Sequence, residues 1–211
     1  TQGVSSAASD VYKRQLNTLS VGASNVAVGP NCLGGSQIVT GNSNIGIGDG
    51  ALFANGTAAF SGTFNIVLGT GAGRRMTTCS SDVFIGTNSG NSASDITGSD
   101  NIGIGQDTFR NLTTGATNVA IGKSALININ TGTDNAVLGN SAGASITSSN
   151  SNVALGVNCL NGTNNVTGAS NVAIGDGALY ANGSAALSGS YNIALGSASG
   201  RKVTTGGNNV F

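Results

Sequence analysis

Histidine, glutamate and tryptophan are all missing from this chain of 211 residues. Without an imidazole, the chain cannot form a Ser-His-Asp triad or a histidine-bound zinc site. Charged residues make up 8 % of the sequence, against about 25 % in soluble domains. Eight Lys and Arg residues balance eight Asp residues, so the chain lacks the basic excess that a nucleic-acid-binding protein needs.

Long apolar runs and proline are equally scarce. No uncharged apolar run approaches the ~20 residues of a transmembrane helix, and we expect no membrane insertion by this segment. The single proline excludes collagen, as does the absence of a three-residue glycine period. Glycine is nevertheless abundant: its 35 residues are more than twice the usual share of about 7 %.

A recurring five-residue word accounts for much of the glycine. It consists of Asn, an apolar residue, a small or apolar residue, a second apolar residue and Gly. The ten copies begin at Asn25, Asn44, Asn65, Asp82, Asn101, Asn118, Asn135, Asn152, Asn171 and Asn192. Successive copies start 17, 19 or 21 positions apart, as from Asn101 to Asn118, from Asn25 to Asn44 and from Asn44 to Asn65. The shortest spacing is the basic unit, and the longer units carry insertions of two or four.

The word predicts a short β-strand, because its residues alternate in size and polarity. We place its second and fourth residues, such as Val26 and Val28, on the buried face, and its small third residue on the outer face. The constant Gly indicates a positive φ or a close approach of two backbones. One unit cannot bury its own apolar side chains. We therefore predict an all-β protein, a parallel β-solenoid of about ten coils with 17–21 residues per coil.

Asparagine heads nine of the ten words, and Asp82 is the exception. Stacked Asn side chains can form an amide ladder along a rod, and Asn is equally suited to a turn. Both explanations assign the asparagines to structure rather than to catalysis.

A longer repeat lies over the short one. Residues 24–84 align without gaps on residues 151–211, with 37 of 61 positions identical. We assign residues 16–211 to the repeat domain and residues 1–15 to a non-repeat N-terminal segment, where Ser5–Gln15 resembles an adapter-derived artefact of translated environmental sequences. The repeat begins and stops in mid-coil, and we expect a chain truncated at both ends.

The words NVAIG, NIALG and NVALG, which begin at Asn118, Asn192 and Asn152, resemble the head repeats of trimeric autotransporter adhesins. They also resemble the Asn-x-Ala-Ile-Gly repeats of phage tail-fibre proteins, over residues 16–211. The resemblance implies a left-handed parallel β-roll, assembled as a homotrimer, that acts in attachment on a virion tail fibre or a bacterial cell surface, an extracellular location. The smooth Ala and Gly face predicted above would let another chain approach closely.

Candidate catalytic or metal-binding groups are few. Asp49 and Asp176 each lie in Gly-Asp-Gly and could be proposed as a carboxylate pair for glycan cleavage. Seven coils separate them, so we assign both to turns. Cys32 and Cys159 are equally far apart, and Cys79 lies elsewhere in its unit, so we expect buried, reduced thiols. We predict no catalytic residue, no cofactor and no metal site.

Inserted residues offer the best candidate contact surface, because insertions in solenoids often emerge on the binding face. Aromatic and basic groups there suit a host-surface glycan or a protein receptor, although the same rings could cap the coil or pack between chains. The candidates are Phe53, Phe60, Phe64, Arg74, Arg75, Tyr180, Tyr191, Arg201 and Lys202.

These features favour a structural or adhesive fibre segment, without catalysis, for attachment to a cell surface or host receptor by rigid spacing and multivalent contact. One alternative is a β-solenoid enzyme or binder that acts on polysaccharide, which would need acids contributed by neighbouring coils. The other alternative is an ice-binding or purely structural solenoid. Ice binding would require a threonine at a fixed outward position of each strand.

Overall fold

The computed structural model describes residues 22–181 and 186–211. Ten strands of three residues each lie in this part of the chain. They are β1 (Val26–Val28), β2 (Ile45–Ile47), β3 (Ile66–Leu68), β4 (Val83–Ile85), β5 (Ile102–Ile104), β6 (Val119–Ile121), β7 (Ala136–Leu138), β8 (Val153–Leu155), β9 (Val172–Ile174) and β10 (Ile193–Leu195). All ten pair in parallel, in chain order, within one sheet. The described residues contain no helix and form the predicted parallel β-solenoid, with nine turns between ten strands.

Every strand meets the next in the same register, residue one to residue one. Pairing continues outside the strands: Leu52 N donates to Ala72 O at 3.0 Å, and Val39 forms an isolated parallel bridge with Phe60. Neighbouring coils are therefore hydrogen-bonded on more than one side. The predicted N-terminal segment 1–15, and residues 16–21 of the predicted repeat domain, lie outside the described residues.

The glycine that ends each word has a backbone conformation reserved for glycine. Its φ ranges from 113° at Gly196 to 145° at Gly139. A Cβ on each of the first nine would lie 2.1–2.7 Å from the carbonyl oxygen of the word glycine in the next coil, closer than atoms can approach. Gly196 ends the tenth word, and a Cβ there would meet nothing within 4 Å. The constant Gly is thus explained by both positive φ and contact between coils.

The predicted orientation of the strands is wrong. The middle residue of each strand is buried, and the first and third residues are half-buried or exposed. Ala120 is 0 % exposed, for example, whereas Val26 is 39 % exposed. The small residue belongs inside because the solenoid is narrow: a Cβ on Gly46 would lie 2.7 Å from the Cys32 sulfur, and one on Gly103 would lie 2.7 Å from Phe109.

The core is filled from the opposite side of each coil. Leu126 and its equivalents in other coils are buried against the small middle residues. Where the middle residue is large, the opposite side of the same coil is small: a Cβ on Gly90 would lie 2.5 Å from the Phe84 ring. Phe84 also packs edge-to-face on Phe109 of the next coil, with ring centroids 5.9 Å apart. The core is therefore a close-packed column in which bulk alternates between the two sides of the coil.

All three cysteines are buried and free, as predicted. Burial raises the pKa of Cys32 to about 11 and the pKa of Cys159 to about 12. These thiols behave as small apolar residues of the core.

The word asparagines form a ladder of buried amides, with the carboxyl of Asp82 as one rung. Asn44 Nδ2 donates to Asn25 Oδ1 at 3.1 Å and to Gly62 O at 2.9 Å, and its backbone N–H donates to Asn25 Oδ1 at 2.9 Å. The same contacts join Asn118 to Asn101 and Asn135 to Asn118. The ladder explanation for Asn is confirmed, and it fixes the register of each coil on the one before it.

Candidate interaction surfaces

The outward side of the sheet is the first candidate surface, which we call the aliphatic face. It consists of the first and third residues of β1–β10. Nineteen of these twenty positions hold Val, Ile or Leu, and Ala136 is the exception. None of the strands contains a charged residue. Large side chains stay in contact with solvent here: Leu138 is 46 % exposed and Leu195 is 56 % exposed.

The dimensions of the aliphatic face follow from strand geometry. Ten strands at about 4.8 Å and three residues at about 3.3 Å give a strip roughly 48 Å by 10 Å, or about 480 Å² in projection. This area falls within the range of about 300–600 Å² for the largest apolar patch on a typical soluble monomer, and such patches are often functional. The predicted smooth Ala and Gly contact face does not exist, since those residues point into the core. Two columns of branched aliphatic side chains stand in its place.

The predicted contact residues are divided between core and surface. Phe60 is 1 % exposed and packs in the core, so it offers nothing to a receptor. Phe64 and Tyr191, which are equivalent in the two long copies, are 65 % and 63 % exposed, each at a positive φ of 60°. Arg75 is half-buried and forms an ion pair with Asp95 at 3.2 Å.

Arg74 and Phe53 form one side of a surface pocket of about 280 Å³, which we call the first pocket. The Arg74 guanidinium carbon lies 5.5 Å from the centroid of the Phe53 ring. Asn31 and Asp49 line the pocket as well, and Asn31 Nδ2 donates to Asp49 Oδ1 at 3.4 Å. Its floor is Gly50, where a Cβ would meet no atom within 4 Å. The missing side chain of Gly50 thus helps to create the cavity.

An equivalent second pocket of about 330 Å³ lies in the other long copy. The Arg201 guanidinium carbon lies 5.6 Å from the centroid of the Tyr180 ring, and the pocket is also lined by Asn158, Asp176 and Gly177. Each of these residues is 127 positions from its counterpart in the first pocket. Lys202, the remaining predicted contact residue, is exposed and does not line this pocket.

The sequence pattern predicts the aromatic and arginine residues of these pockets but not the other residues that line them. Asp49 and Asp176 lie in the turns after β2 and β9, as predicted. They are separated by seven strand positions, about 34 Å at the usual spacing, so they form no carboxylate pair. The signal that could have revealed the pockets is the repeated word GDGAL at Gly48–Leu52 and Gly175–Leu179, because the glycine at its third position has no side chain to fill the space beside it.

Asp82 is the one acidic rung of the amide ladder and is fully buried. Its Oδ1 accepts from Asn101 N at 2.8 Å and from Asn101 Nδ2 at 3.1 Å. Its Oδ2 occupies the place of an Asn Nδ2 and has no hydrogen-bond partner. Burial raises the pKa of Asp82 to about 7, against the effect of the two Asn101 hydrogen bonds. Burial, and then the Asp82 carboxyl, raise the pKa of the neighbouring Cys79 thiol.

Within the described ranges, no three Cys or Asp side chains come together in a group that could hold a metal ion. The same residues include no helix long and apolar enough to cross a membrane. No protein-family model, no curated protein and no solved structure matches the chain.

Proposed function

We propose that this protein is a non-catalytic fibre segment that assembles as a homotrimer and serves in attachment, at the surface of a virion tail fibre or of a bacterial cell. The observation that carries the proposal is the aliphatic face, which runs along the whole described solenoid without a charge. A surface of this kind is unfavourable in water and gains roughly 25 cal/mol for each Å² that a partner covers.

A second copy of the chain is the partner that fits this face best. The face is periodic, with a repeat set by the strand spacing, and another copy presents the same repeat. Its two columns suit a three-fold arrangement in particular, because the first-residue column of one chain can pack on the third-residue column of the next. Such head-to-tail contacts close into a ring of three when the rotation between neighbours is one third of a turn.

A role in attachment is supported by the remaining surface. The coils are tied together by backbone hydrogen bonds and by the amide ladder, which suits a rigid spacer. The exposed rings of Phe64 and Tyr191 and the residues of the first and second pockets are not part of the aliphatic face. Three chains would present each of these features three times, which raises avidity.

The assembly is tested by light scattering coupled to size-exclusion chromatography. A trimer has three times the 20.4 kDa mass of the single chain. The variant Ile104→Lys/Leu138→Lys places two charges on the aliphatic face and should elute as a folded monomer. The matched control, Thr114→Lys, adds a charge at an exposed residue outside the strands and should stay trimeric. A monomeric parent protein, or a trimeric double variant, would show that this face does not join the chains.

A further inference from the structure

We propose that the first and second pockets are twin binding sites, each for one neutral sugar ring of a glycan chain. This inference rests on the proposed role in attachment and specifies the ligand class. Two equivalent cavities carry it: they have the same set of aromatic ring, arginine, aspartate, asparagine and floor glycine in the two long copies.

Each pocket supplies the groups that recognise a sugar. The guanidinium over the aromatic ring holds Arg74 in place by a cation–π contact. Among the described residues, the ion pairs involve Arg75 and Arg110 and leave Arg74 without an acidic partner. Its N–H groups are thus available to donate to hydroxyl oxygens. Asp49 provides acceptors for hydroxyl protons, and the half-buried edge of Phe53 provides an apolar surface for the C–H groups of the ring.

The size and the charge of the pockets narrow the ligand. Volumes of about 280 and 330 Å³ lie just below and just above the lower limit of about 300 Å³ for small-molecule sites, which suits a single ring rather than a long oligosaccharide. Each pocket contains one carboxylate and one guanidinium, so its own charges balance. A neutral sugar keeps that balance, whereas the carboxylate of an acidic sugar would face Asp49 or Asp176.

The position of the floor glycine supports a binding role and offers a clean test. In other coils the same position holds a side chain with the same left-handed backbone: Asn31, Asn88 and Asn158 have φ of 56°, 57° and 52°, and Gly50 and Gly177 have φ of 63° and 61°. Asparagine is therefore compatible with this backbone position. The variant Gly50→Asn/Gly177→Asn should fill both pockets without disturbing the fold.

The experiment uses the full chain on an array of immobilised neutral oligosaccharides built from glucose, galactose or mannose, with oligosaccharides of uronic acids alongside. The best neutral ligand is then titrated by biolayer interferometry. We expect the parent protein to bind a neutral ligand and Gly50→Asn/Gly177→Asn to lose at least tenfold in affinity. Ser124→Asn makes the same change at the equivalent position of a coil between the two pockets, where φ is 57°, and should bind like the parent.

Three results would overturn the assignment: no neutral oligosaccharide binds, only uronic acids bind, or the filled variant binds as well as the parent. Light scattering on the same samples separates this proposal from the proposed function. A trimer that binds no sugar refutes the twin sites and leaves the assembly intact. A monomer that binds sugar supports the twin sites and refutes the trimer.

Discussion

Replacing Asp82 with Asn should make the protein more stable at neutral and alkaline pH. Asp82 is the only acidic rung among the ten word-initial residues, and its Oδ2 is buried without a hydrogen-bond partner. Asn is isosteric with Asp and supplies the missing Nδ2 donor. In the neighbouring rung, Asn65 Nδ2 donates to Asn44 Oδ1 at 3.0 Å and to Cys79 O at 3.1 Å. Two hydrogen bonds of this kind become possible at the acidic rung.

The magnitude follows from the pKa of the carboxyl. Burial raises the pKa of Asp82 from 3.8 to about 7. Hydrogen bonds with Asn101 and Cys79 oppose this rise, and the charge of Asp100 adds to it. Each tenfold change in proton affinity is worth about 1.4 kcal/mol, so the ionised carboxyl costs the folded state about 4 kcal/mol above pH 7. Because the folded protein binds the proton more tightly than the unfolded chain, this cost is absent below pH 4 and grows as the pH rises to 7.

The assay is urea unfolding of both proteins at pH 4, 6 and 8, followed by far-ultraviolet circular dichroism. We expect similar stability at pH 4 and an advantage of up to about 4 kcal/mol for Asp82→Asn at pH 8. Asp134→Asn is the control: hydrogen bonds from Thr117 and Thr133 lower the pKa of this exposed carboxyl, so its loss should bring no gain at pH 8. Parallel pH profiles for Asp82→Asn and the parent would refute the reasoning.

Three further predictions concern the backbone, the ladder and the thiols. Gly139→Ala should lower the free energy of unfolding in urea by at least about 3 kcal/mol, because φ is 145° and the new Cβ would lie 2.1 Å from a carbonyl oxygen. In the control Gly50→Ala the new Cβ meets no atom within 4 Å, and the loss should be about 1 kcal/mol. Equal losses would contradict this explanation. Asn118→Ala should lower the free energy of unfolding by about 4 kcal/mol, since its side chain makes four buried hydrogen bonds worth about 1 kcal/mol each. The control Asn128→Ala changes an exposed residue and should cost less than about 1 kcal/mol. Similar melting temperatures for the two variants would argue against the ladder. Cys159, whose pKa burial raises to about 12, should resist iodoacetamide at pH 8 until the protein is unfolded, and rapid alkylation of the native protein, read by mass spectrometry, would show that the core is open.

The architecture could be predicted from the sequence because one steric constraint recurs in every coil. The glycine after each strand lies at a φ that other residues avoid, against the next coil, so its spacing marks the length of each turn. Asparagine recurs for a related reason, since each rung of the ladder bonds to the rung before it. The predicted stack of strands therefore followed from the spacing of Gly together with the alternating apolar residues between Asn and Gly.

The orientation of the strands could not be deduced in the same way. A strand of three residues offers two faces, and the assumption that Val26 and Val28 are buried holds only for a solenoid with a wide core. The narrow interior admits Ala27 instead. The walls of the twin pockets escaped notice for another reason: Asn31, Asp49 and Arg74 belong to three successive coils and lie together only after stacking.

The unpaired Oδ2 of Asp82 is a second feature that the sequence does not predict. The sequence identifies Asp82 as the single departure from Asn, and that departure looks conservative. Only the structure shows that Oδ2 is buried without a hydrogen-bond partner, which turns the departure into a cost in stability.

The common register of unequal coils has a consequence for how such a chain can change over generations. Coils of all three lengths keep the same strand-to-strand alignment, so extra residues are tolerated between the constant elements. Unequal recombination within the gene, between the segments that encode residues 24–84 and 151–211, would insert or delete seven complete turns at once. The solenoid would become longer or shorter by about 34 Å. Each coil would still form its ladder hydrogen bonds with the next, and one pocket would be gained or lost at each event.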